Sequence, residues 1–316
     1  MGDRIKLGIS SCLLGEKVRY DGGHQRDRFL TDTLGQYIEW IPVCPEVECG
    51  LPIPREAMRL VGTPDSYQLV TNKTGVDHTT RMLKWAAGKL KELEKDDLCG
   101  FVFKNRSPSS GMQGVKIYSD SGIPASKGAG IFAGALMKHL PLLPVEDDGR
   151  LNDARLRENF IERIFVMKRW QDFRRERASV GRLVAFHTSL KLLVLSHSTK
   201  HYREMGRLVA RGKETPVDRL YNEYFQLLME GLKLIATVKK NTNVLQHLMG
   251  YFKKELSADE KMELVTLIDD YHGGLVPLVV PLTLLKHYVR KFKEPYLEKQ
   301  FYLTPHPTEL MLRNHV

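Results

Sequence analysis

Cysteine and serine side chains follow three short apolar runs in the first half of the chain. The three segments are Ile5–Ile9 before Ser10-Ser11-Cys12, Trp40–Val43 before Cys44-Pro45-Glu46, and Phe101–Phe103 before Ser107-Pro108-Ser109-Ser110. A thiolate is a soft metal ligand, whereas a hydroxyl group is harder and holds soft metal centres poorly. Two of these loops present a thiol near the end of the apolar run and the third presents a hydroxyl group, and this difference decides whether they can hold a soft metal centre.

The spacing of the four cysteines restricts the kind of metal site. The chain has no C-x-x-C pair, which disfavours the zinc ribbons that depend on such pairs. Thiolates on separate loops can still hold an iron–sulfur cluster, because only their positions in the folded chain matter. We expect Cys99, between a charged segment and a strand, to be a small buried side chain. Cys49 lies near Cys44 in sequence and stays a candidate ligand.

Strand-like and helix-like segments alternate over residues 1–150, which favours an α/β fold with a mostly parallel sheet. The predicted helices are Thr31–Trp40, Gly128–His139, and Asp77–Glu94 with Leu83, Ala86, Ala87 and Leu90 on its apolar face. In open α/β sheets, ligands bind beyond the carboxyl ends of the strands. The three loops follow such ends, so we expect them to converge on one site.

Residues 151–316 are predicted to form an all-α domain, separated from residues 1–150 by a turn or hinge at Glu146–Gly149. Apolar residues recur at helical spacing at Leu183, Phe186, Leu190, Leu193 and Val194. Further helices are predicted at Val217–Lys239, Val244–Leu256, Ala258–Tyr271 and Leu282–Phe292. Ser257 and Glu260 have the spacing of a capping box before Ala258.

Positive charge is concentrated in part of this second half. Residues 1–150 carry 20 basic and 19 acidic side chains, whereas residues 163–213 carry 13 basic and 3 acidic ones. Such a density of like charge favours a polyanionic partner, most commonly nucleic acid, and a solvated basic helix surface is the alternative. Tyr202 beside Arg203, Arg207 and Arg211 is a combination typical of contacts with an RNA backbone.

Composition and length favour a cytoplasmic protein of two domains, without a membrane partner. The longest apolar stretch, Leu275–Leu285, is far shorter than the roughly 20 residues that cross a bilayer. The N-terminal residues do not resemble a signal peptide. Four cysteines without secretory features argue against a disulfide framework.

Long motifs in the first half closely resemble the thiouracil desulfurase (TudS) family. They are Ser10-x-Cys12-Leu-Leu-Gly, Arg19-Tyr20-Asp21-Gly22-Gly23, Val43-Cys44-Pro45-Glu46-Val47, Gly50-Leu-Pro52-x-Pro54-Arg55 and Lys104-x-Arg106-Ser107-Pro108-Ser109. The resemblance covers about residues 4–145. It implies a [4Fe–4S] cluster held by three cysteines, with an open iron that takes the sulfur of a thiocarbonyl before water replaces sulfur at carbon.

The second half resembles the YbgA-type helical domain. The resemblance rests on residues 243–252, residues 277–284 and the ending Leu312-Arg313-Asn314. The two domains in this order resemble the RudS proteins, which remove sulfur from 4-thiouridine in transfer RNA. The resemblance implies a non-redox reaction that gives uridine and hydrogen sulfide, transfer RNA as the partner, and no interaction with DNA.

The same resemblance implies roles for individual residues. Glu46 corresponds to the family's general acid/base and Ser107 to a residue that assists proton transfer. Cys12, Cys44 and Ser110 occupy the positions of the three cluster ligands. Without the resemblance, Glu46 would be interpreted as a surface carboxylate and Ser107 as a turn residue.

Ser110 departs from the family pattern, which has a cysteine at this position. A serine hydroxyl has a far higher pKa than a thiol, so it is a poor ligand for cluster iron. Three explanations are open: the chain is an engineered variant, it is a natural member that uses Ser110 or Cys49 as the third ligand, or it has lost desulfuration. The rest of the predicted site is intact, which argues against a long-standing loss of function.

Candidate binding residues fall into two groups. The predicted substrate contacts are Ser11, Arg19, Lys104 and Arg106, with Arg55 as a further cation nearby. Each cation is equally a candidate for pairing with Asp21 or Glu48, and the Gly-rich segment Lys127–Gly130 is a weak candidate for phosphate binding. The predicted RNA contacts are Arg174, Arg175, Arg177, Arg203, Arg207 and Arg211.

Two other functions and one metal site stay open at this point. The first alternative is desulfuration of free thiouracil or 4-thiouridine monophosphate, and the second is RNA binding without catalysis. His197 and His201 have the i, i+4 spacing of metal ligands, but the sequence indicates no third ligand.

Overall fold

A computed structural model describes residues 4–119 and 121–315. The chain forms two compact units, residues 1–153 and 154–316. The first unit contains strands and helices, and the second contains helices and short turns in the part that is described. The predicted fold class, an α/β domain followed by an all-α domain, is confirmed.

Eight strands in the described part of the first unit form two four-stranded sheets. They are β1 (Ile5–Ser10), β2 (Ile38–Val43), β3 (Met58–Thr63), β4 (Ser66–Thr71), β5 (Gly100–Phe103), β6 (Val115–Tyr118), β7 (Pro124–Gly128) and β8 (Val145–Asp147). Sheet A has the order β2-β1-β5-β8 and is parallel throughout. Sheet B has the order β4-β3-β6-β7 and is antiparallel except between β3 and β6. The carboxyl ends of β1, β2 and β5 therefore lie at one edge of sheet A.

The described residues of the first unit form three α-helices: α1 (Pro45–Glu48), α2 (Thr79–Lys95) and α3 (Ile131–His139). Phe101 and Phe103 of sheet A pack with Phe132 of α3 and with Ala86 of α2 in one apolar core. Met82 of α2 packs in a second core with residues of sheet B. Burial of these faces fixes both sheets against the same two helices.

The predicted apolar face of α2 was only half right. Ala86 and Leu90 are buried, but Leu83 is 47% exposed and Ala87 is exposed. Met82 and Leu93 take their place in the core. Leu83 and Ala87 have the same helical spacing as Met82 and Ala86, one residue and about 100° further around the helix, so periodicity fitted both faces.

The predicted helix Thr31–Trp40 was wrong. The structure has a short π-helical turn at Phe29–Thr33, a 3-10 turn at Leu34–Gln36, and then strand β2. Every residue of β2 pairs in register with β1, from Ile5 with Ile38 to Ser10 with Val43. Pairing within the sheet overrides local helix preference, and an edge strand tolerates Pro42 because it does not need that amide as a donor.

Part of the acidic run predicted as a turn or hinge belongs to strand β8 (Val145–Asp147) at the edge of sheet A, and Asp148 and Gly149 form a turn. Glu146 and Asp147 are 5% and 1% exposed. The Arg150 guanidinium donates to Glu146 at 2.6 Å, and the Arg150 amide donates to Asp147 at 2.9 Å. Burial raises the pKa of Asp147. Three carboxylates in sequence resemble a solvated turn, but hydrogen bonds from Arg150 make the burial of Glu146 and Asp147 possible.

Eight helices follow in the described part of the second unit. They are α4 (Ala154–Arg174), α5 (Val180–His197), α6 (Thr199–Ala210), α7 (Val217–Lys233), α8 (Val238–Met249), α9 (Ala258–His272), α10 (Val279–Phe292) and α11 (Pro295–Glu298). The apolar residues predicted for α5 are buried, and the capping box at Ser257 and Glu260 is formed. Within residues 4–119 and 121–315, no helix has the length and apolar character needed to cross a membrane.

The predicted helices Val217–Lys239 and Val244–Leu256 had wrong limits. The first ends at Lys233, and a new helix begins after Thr237, whose hydroxyl accepts from the Lys240 amide at 3.4 Å. The Leu234 carbonyl contacts the ring Nδ1 of His197 at 2.6 Å instead of continuing the helix. This tertiary hydrogen bond and the Thr237 cap divide a segment whose apolar spacing is helical throughout.

Candidate active site

A cavity of about 320 Å³ lies where β1, β2 and β5 end at the carboxyl edge of sheet A. Nine predicted site residues line it together: Ser11, Cys12, Arg19, Cys44, Glu46, Lys104, Arg106, Ser107 and Ser110. The predicted convergence of the three loops on one site is therefore what the structure shows. These residues are separated by up to about a hundred positions in sequence, and the parallel order of the strands brings them together.

Local backbone structure positions the two cysteines. Cys12 lies in a 3-10 turn directly after β1, and Gly15 ends this turn with a φ of +97°, a left-handed conformation that glycine adopts without strain. Cys44 is the residue before α1, and Pro45 starts that helix. Burial raises the pKa of Cys12 to about 11, and burial also raises the pKa of Cys44. The two thiols would need to lose their protons to bind a metal ion.

The loop Ser107–Ser110 is fixed by the start of α3. The amides of Ile131 and Phe132 donate to the Pro108 and Ser109 carbonyls at 3.1 and 2.9 Å. A Cβ on Gly130 would lie 2.6 Å from the Ser109 carbonyl carbon, so only glycine allows this approach. Because loop carbonyls occupy the first amides of α3, these amides are not available to bind a phosphate.

Glu46 lies at the centre of a polar network in the cavity wall. The Ser109 hydroxyl donates to Glu46 Oε1 at 2.8 Å, and the Arg55 guanidinium forms a salt bridge with Glu46 Oε2. Ser107 Oγ lies 3.0 Å from Ser109 Oγ. Ser107 thus reaches Glu46 through Ser109, a residue that sequence reasoning did not assign to the site. The network orients the carboxylate and links it to a chain of hydroxyl groups.

The structure distinguishes the predicted cations from one another. Lys104 Nζ forms a salt bridge with Asp148 at 2.7 Å, and Arg19 donates to Gln25 at 3.1 Å and lies 3.6 Å from Asp21. Arg106 is exposed, has a φ of +58°, and forms no salt bridge within the described ranges. Arg106 is therefore the predicted cation whose charge is most available to a ligand.

The donor set does not match a cluster held by three thiolates. At the ends of β1, β2 and β5 the cavity presents the Cys12 thiol, the Cys44 thiol and the Ser110 hydroxyl. Iron–sulfur clusters depend on thiolate ligands, and a hydroxyl group is a hard ligand of high pKa. Cys49 is not among the cavity residues, and its Sγ donates to the Glu46 carbonyl at 3.3 Å. Cys99 is 1% exposed, as predicted for a core cysteine.

Comparison with known sequences assigns both units. Residues 7–148 match the family model "2-thiouracil desulfurase", and residues 191–307 match "Protein of unknown function (DUF1722)". The chain is 32% identical over 165 residues to uncharacterized protein YbgA of Escherichia coli (strain K12), which covers 52% of this chain and 98% of YbgA. The chain belongs to the YbgA family. The predicted combination of a desulfurase-family domain with a YbgA-type domain is confirmed.

Two further relatives match the desulfurase-family domain. Uncharacterized protein YbbK of Bacillus subtilis (strain 168) is 27% identical over 150 residues, which is 46% of this chain and 97% of YbbK. The solved structure of the [4Fe–4S]-dependent thiouracil desulfidase TudS is 27% identical, with a TM-score of 0.39, and covers 48% of this chain and 95% of its own.

The six predicted RNA contacts are all exposed on the YbgA-family domain. Arg174 stacks over Tyr221 at 5.3 Å, and Arg175 lies 3.5 Å from Asp172. On α6, Arg203 and Arg207 lie opposite the buried Met205 and Val209. Arg203 and Arg207 thus form an exposed basic face on α6. Arg174 and Arg175, in contrast, contact side chains of the protein.

The YbgA-family domain also buries a cluster of charges around Arg313. Its guanidinium contacts Glu162 at 2.7 Å and Glu158 at 3.2 Å, and it donates to the Tyr302 carbonyl at 2.6 Å. Glu162 also contacts His197 Nε2 at 3.0 Å. The cluster explains Leu312-Arg313-Asn314 as a structural motif: Arg313 ties the end of the chain to α4.

His197 and His201, for which the sequence indicated no third metal ligand, make separate hydrogen bonds within the protein. His197 Nε2 contacts Glu162 and its Nδ1 contacts the Leu234 carbonyl, whereas His201 Nδ1 lies 2.8 Å from Ser198 Oγ. Both rings therefore use these nitrogens in hydrogen bonds within the protein. The i, i+4 spacing would put both side chains on one face of a continuous helix. They lie on different helices, because α5 ends at His197 and α6 begins after Ser198.

We expect Arg313→Met to destabilise the YbgA-family domain by about 3–5 kcal/mol, because Glu158 and Glu162 would stay buried without their cation. Chemical denaturation followed by circular dichroism measures this loss. The exposed pair Arg219 and Glu223 provides a control, since Arg219→Met removes a surface salt bridge worth about 0.3–0.5 kcal/mol. Equal losses for the two variants would contradict the structural role of Arg313.

Proposed function

We propose that this protein is a desulfurase for 4-thiouridine in transfer RNA, and that Ser110 leaves the chain with little of that activity. The observation that carries this proposal is the convergence of the desulfurase-family motifs on one cavity. The family match supports removal of sulfur from a thiolated pyrimidine. The choice of transfer RNA rests on the basic YbgA-family domain joined to it.

Glu46 is the group best placed to move a proton in the cavity. Its carboxylate is held on both sides, by Arg55 and by the Ser109 hydroxyl, and so has a fixed orientation toward the cavity. A positioned carboxylate can take a proton from an attacking water and return it to a leaving group. Ser107, 3.0 Å from Ser109, extends this path by one hydroxyl group.

Ser110 determines how much of the family chemistry this chain retains. It is the last residue of the loop Ser107–Ser110, lines the same cavity as the two cysteines, and is 4% exposed. A hydroxyl group here removes one of the three thiolates that the family resemblance implies. A site with two thiols would hold an iron–sulfur cluster weakly, so the chain as it stands would bind substrate better than it converts it.

A polynucleotide substrate explains the basic face of α6. A mononucleotide that fits a cavity of about 320 Å³ does not need a second domain with exposed arginines. Arginine side chains spaced along one helix face suit a phosphate backbone, where each contact releases bound counterions. Desulfuration of free thiouracil or 4-thiouridine monophosphate is the second candidate, and it uses the same cavity.

Binding of thiolated transfer RNA and of 4-thiouridine monophosphate at several salt concentrations tests this function. We expect tighter, salt-dependent binding of the RNA, and we expect replacement of Arg203, Arg207 and Arg211 by Gln to lower the salt slope by about 3. Replacement of Arg174, Arg175 and Arg177 should have a smaller effect, because two of these side chains contact the protein.

Three exposed lysines outside the basic stretch, Lys253, Lys254 and Lys261, provide a control of equal charge. Their replacement by Gln should change the salt slope much less than replacement of Arg203, Arg207 and Arg211. If RNA and mononucleotide bind equally well and with the same salt dependence, transfer RNA is not the substrate. If all three variants behave alike, the α6 face is not the contact surface.

A further inference from the structure

A second concave surface adjoins the active-site cavity on the desulfurase-family domain. This groove has a volume of about 1000 Å³ and is formed mainly by β3, β6 and the segments beside them. Met58, Asn105, Arg106 and Pro108 line both the groove and the cavity. A polymeric ligand with one monomer unit in the cavity can therefore extend into the groove along the protein surface.

Three cations lie side by side across the floor of the groove. Lys116 of β6 is directly opposite Lys127 of β7 in the antiparallel pair. On β3, Leu60 pairs with Ile117 of β6. Arg59, the residue before Leu60, therefore lies next to Lys116, the residue before Ile117. Side chains that pair across strands share one face of a sheet. Arg59, Lys116 and Lys127 thus form a row of positive charge on three neighbouring strands.

Salt bridges among the described residues do not neutralise this row. Like charges directly opposite each other in a sheet are destabilising, yet Lys116 and Lys127 are both exposed and form no salt bridge within residues 4–119 and 121–315. Asp147 also lines the groove, but it is 1% exposed and accepts from the Arg150 amide. An anionic ligand would remove the repulsion between the two lysines.

An aromatic ring lies beside the cations. Tyr118 follows the buried Ile117 on β6, lies on the same face as Lys116, and is half-buried. The Arg59 guanidinium lies 5.4 Å from the centre of the Tyr118 ring. Aromatic and guanidinium planes in a positively charged groove are typical of surfaces that bind single-stranded nucleic acid, where bases stack and phosphates meet cations.

We propose that this groove binds the RNA strand that flanks the nucleotide in the cavity, with Arg59, Lys116 and Lys127 at the phosphates and Tyr118 at a base. This inference rests on the proposed function, since it takes the occupant of the cavity to be a nucleotide within RNA. It adds a contact surface on the desulfurase-family domain, which sequence reasoning had treated as nearly neutral. Arg106, at the boundary between groove and cavity, would meet the phosphate at the target nucleotide.

The groove is tested by the double variant Lys116→Gln/Lys127→Gln, with Lys84→Gln/Lys91→Gln as the matched control. Lys84 and Lys91 are exposed on α2 of the same unit and do not line the groove. Fluorescence anisotropy with labelled thiolated transfer RNA gives the dissociation constant against salt concentration. We expect the groove variant to lower affinity on the order of tenfold and the salt slope by about 2, with much smaller changes for the control.

Folding of the groove variant is monitored in the same samples. Removal of a like-charge pair should leave the thermal unfolding midpoint unchanged or slightly higher, so a loss of RNA affinity with an intact midpoint assigns the loss to the groove. Wild-type affinity in the groove variant, or equal losses in groove variant and control, overturns the groove. Absence of salt-dependent RNA binding by the unaltered protein overturns the proposed function together with the groove.

Discussion

Ser110→Cys should convert this chain into an efficient iron–sulfur protein. The change supplies a third thiol at a position that lines the same cavity as Cys12 and Cys44. After anaerobic reconstitution we expect about four iron atoms per chain, the visible absorption of a [4Fe–4S] cluster, and a large gain in desulfuration of thiolated transfer RNA. Iron analysis, absorption spectra and hydrogen sulfide release measure these outcomes.

A second added thiol makes this experiment specific to position 110. Ser11→Cys also places a third thiol in the cavity wall, but at a residue that the family resemblance does not implicate as a ligand. We expect it to take up far less iron than Ser110→Cys. Equal iron content in Ser11→Cys and Ser110→Cys, or no uptake by Ser110→Cys, would contradict the assignment of Ser110 as the third ligand position.

Glu46→Gln should abolish most desulfuration without removing the metal site. In the Ser110→Cys background we expect a loss of about 10²–10⁴ in kcat, the usual contribution of a general acid/base. The introduced amide is nearly isosteric with the carboxylate and can still accept a hydrogen bond, but it cannot exchange a proton with water at neutral pH. Single-turnover desulfuration, with iron content measured on the same sample, separates loss of proton transfer from loss of metal.

A neighbouring carboxylate serves as the control for Glu46. Glu56 also lines the cavity, but its oxygens accept from the Thr74 amide at 3.0 Å and from the Thr74 hydroxyl at 2.8 Å. Glu56→Gln should lower kcat far less than Glu46→Gln. The catalytic assignment fails if the two variants lose activity equally, or if Glu46→Gln loses iron in proportion to activity.

Glu46→Gln also removes the buried salt bridge with Arg55, so the variant changes stability as well as catalysis. Arg55 is 4% exposed at its side chain, so loss of its carboxylate partner leaves a buried cation. Arg55 also donates to the Val18 carbonyl at 2.9 Å, which holds it in place when Glu46 is changed. A thermal unfolding midpoint measured for Glu46→Gln shows whether the loss of activity has a folding component.

Several elements of this fold were predictable because local sequence and tertiary structure favour the same conformation. The apolar residues of α5 recur at helical spacing and are buried together, and Ser257 caps α9 through its own hydroxyl group. The three loops after apolar strands were predicted to meet because parallel strands place their carboxyl ends at one edge. These features depend on residues close together in sequence or on a general rule of sheet topology.

Other elements could not be predicted because distant residues decide them. Thr31–Trp40 was predicted as a helix, but pairing with β1 makes Ile38–Val43 a strand. Glu146 and Asp147 lie in a strand because Val145–Asp147 pair with β5, and α7 ends where His197 contacts the Leu234 carbonyl. In each case a hydrogen bond or a sheet partner from elsewhere in the chain overrides the local pattern.

The amino-acid sequence alone defines the chemistry available to this protein: two thiols, the hydroxyl group of Ser110, the carboxylate of Glu46 and a concentration of arginines in the second half. How these groups are used depends on the folded chain. Folding inserts Ser109 between Ser107 and Glu46, pairs Lys104 with Asp148, and aligns Lys116 with Lys127 beside the cavity. Residue types can be read from the sequence, whereas hydrogen bonds, ion pairs and strand register depend on groups far apart in the chain.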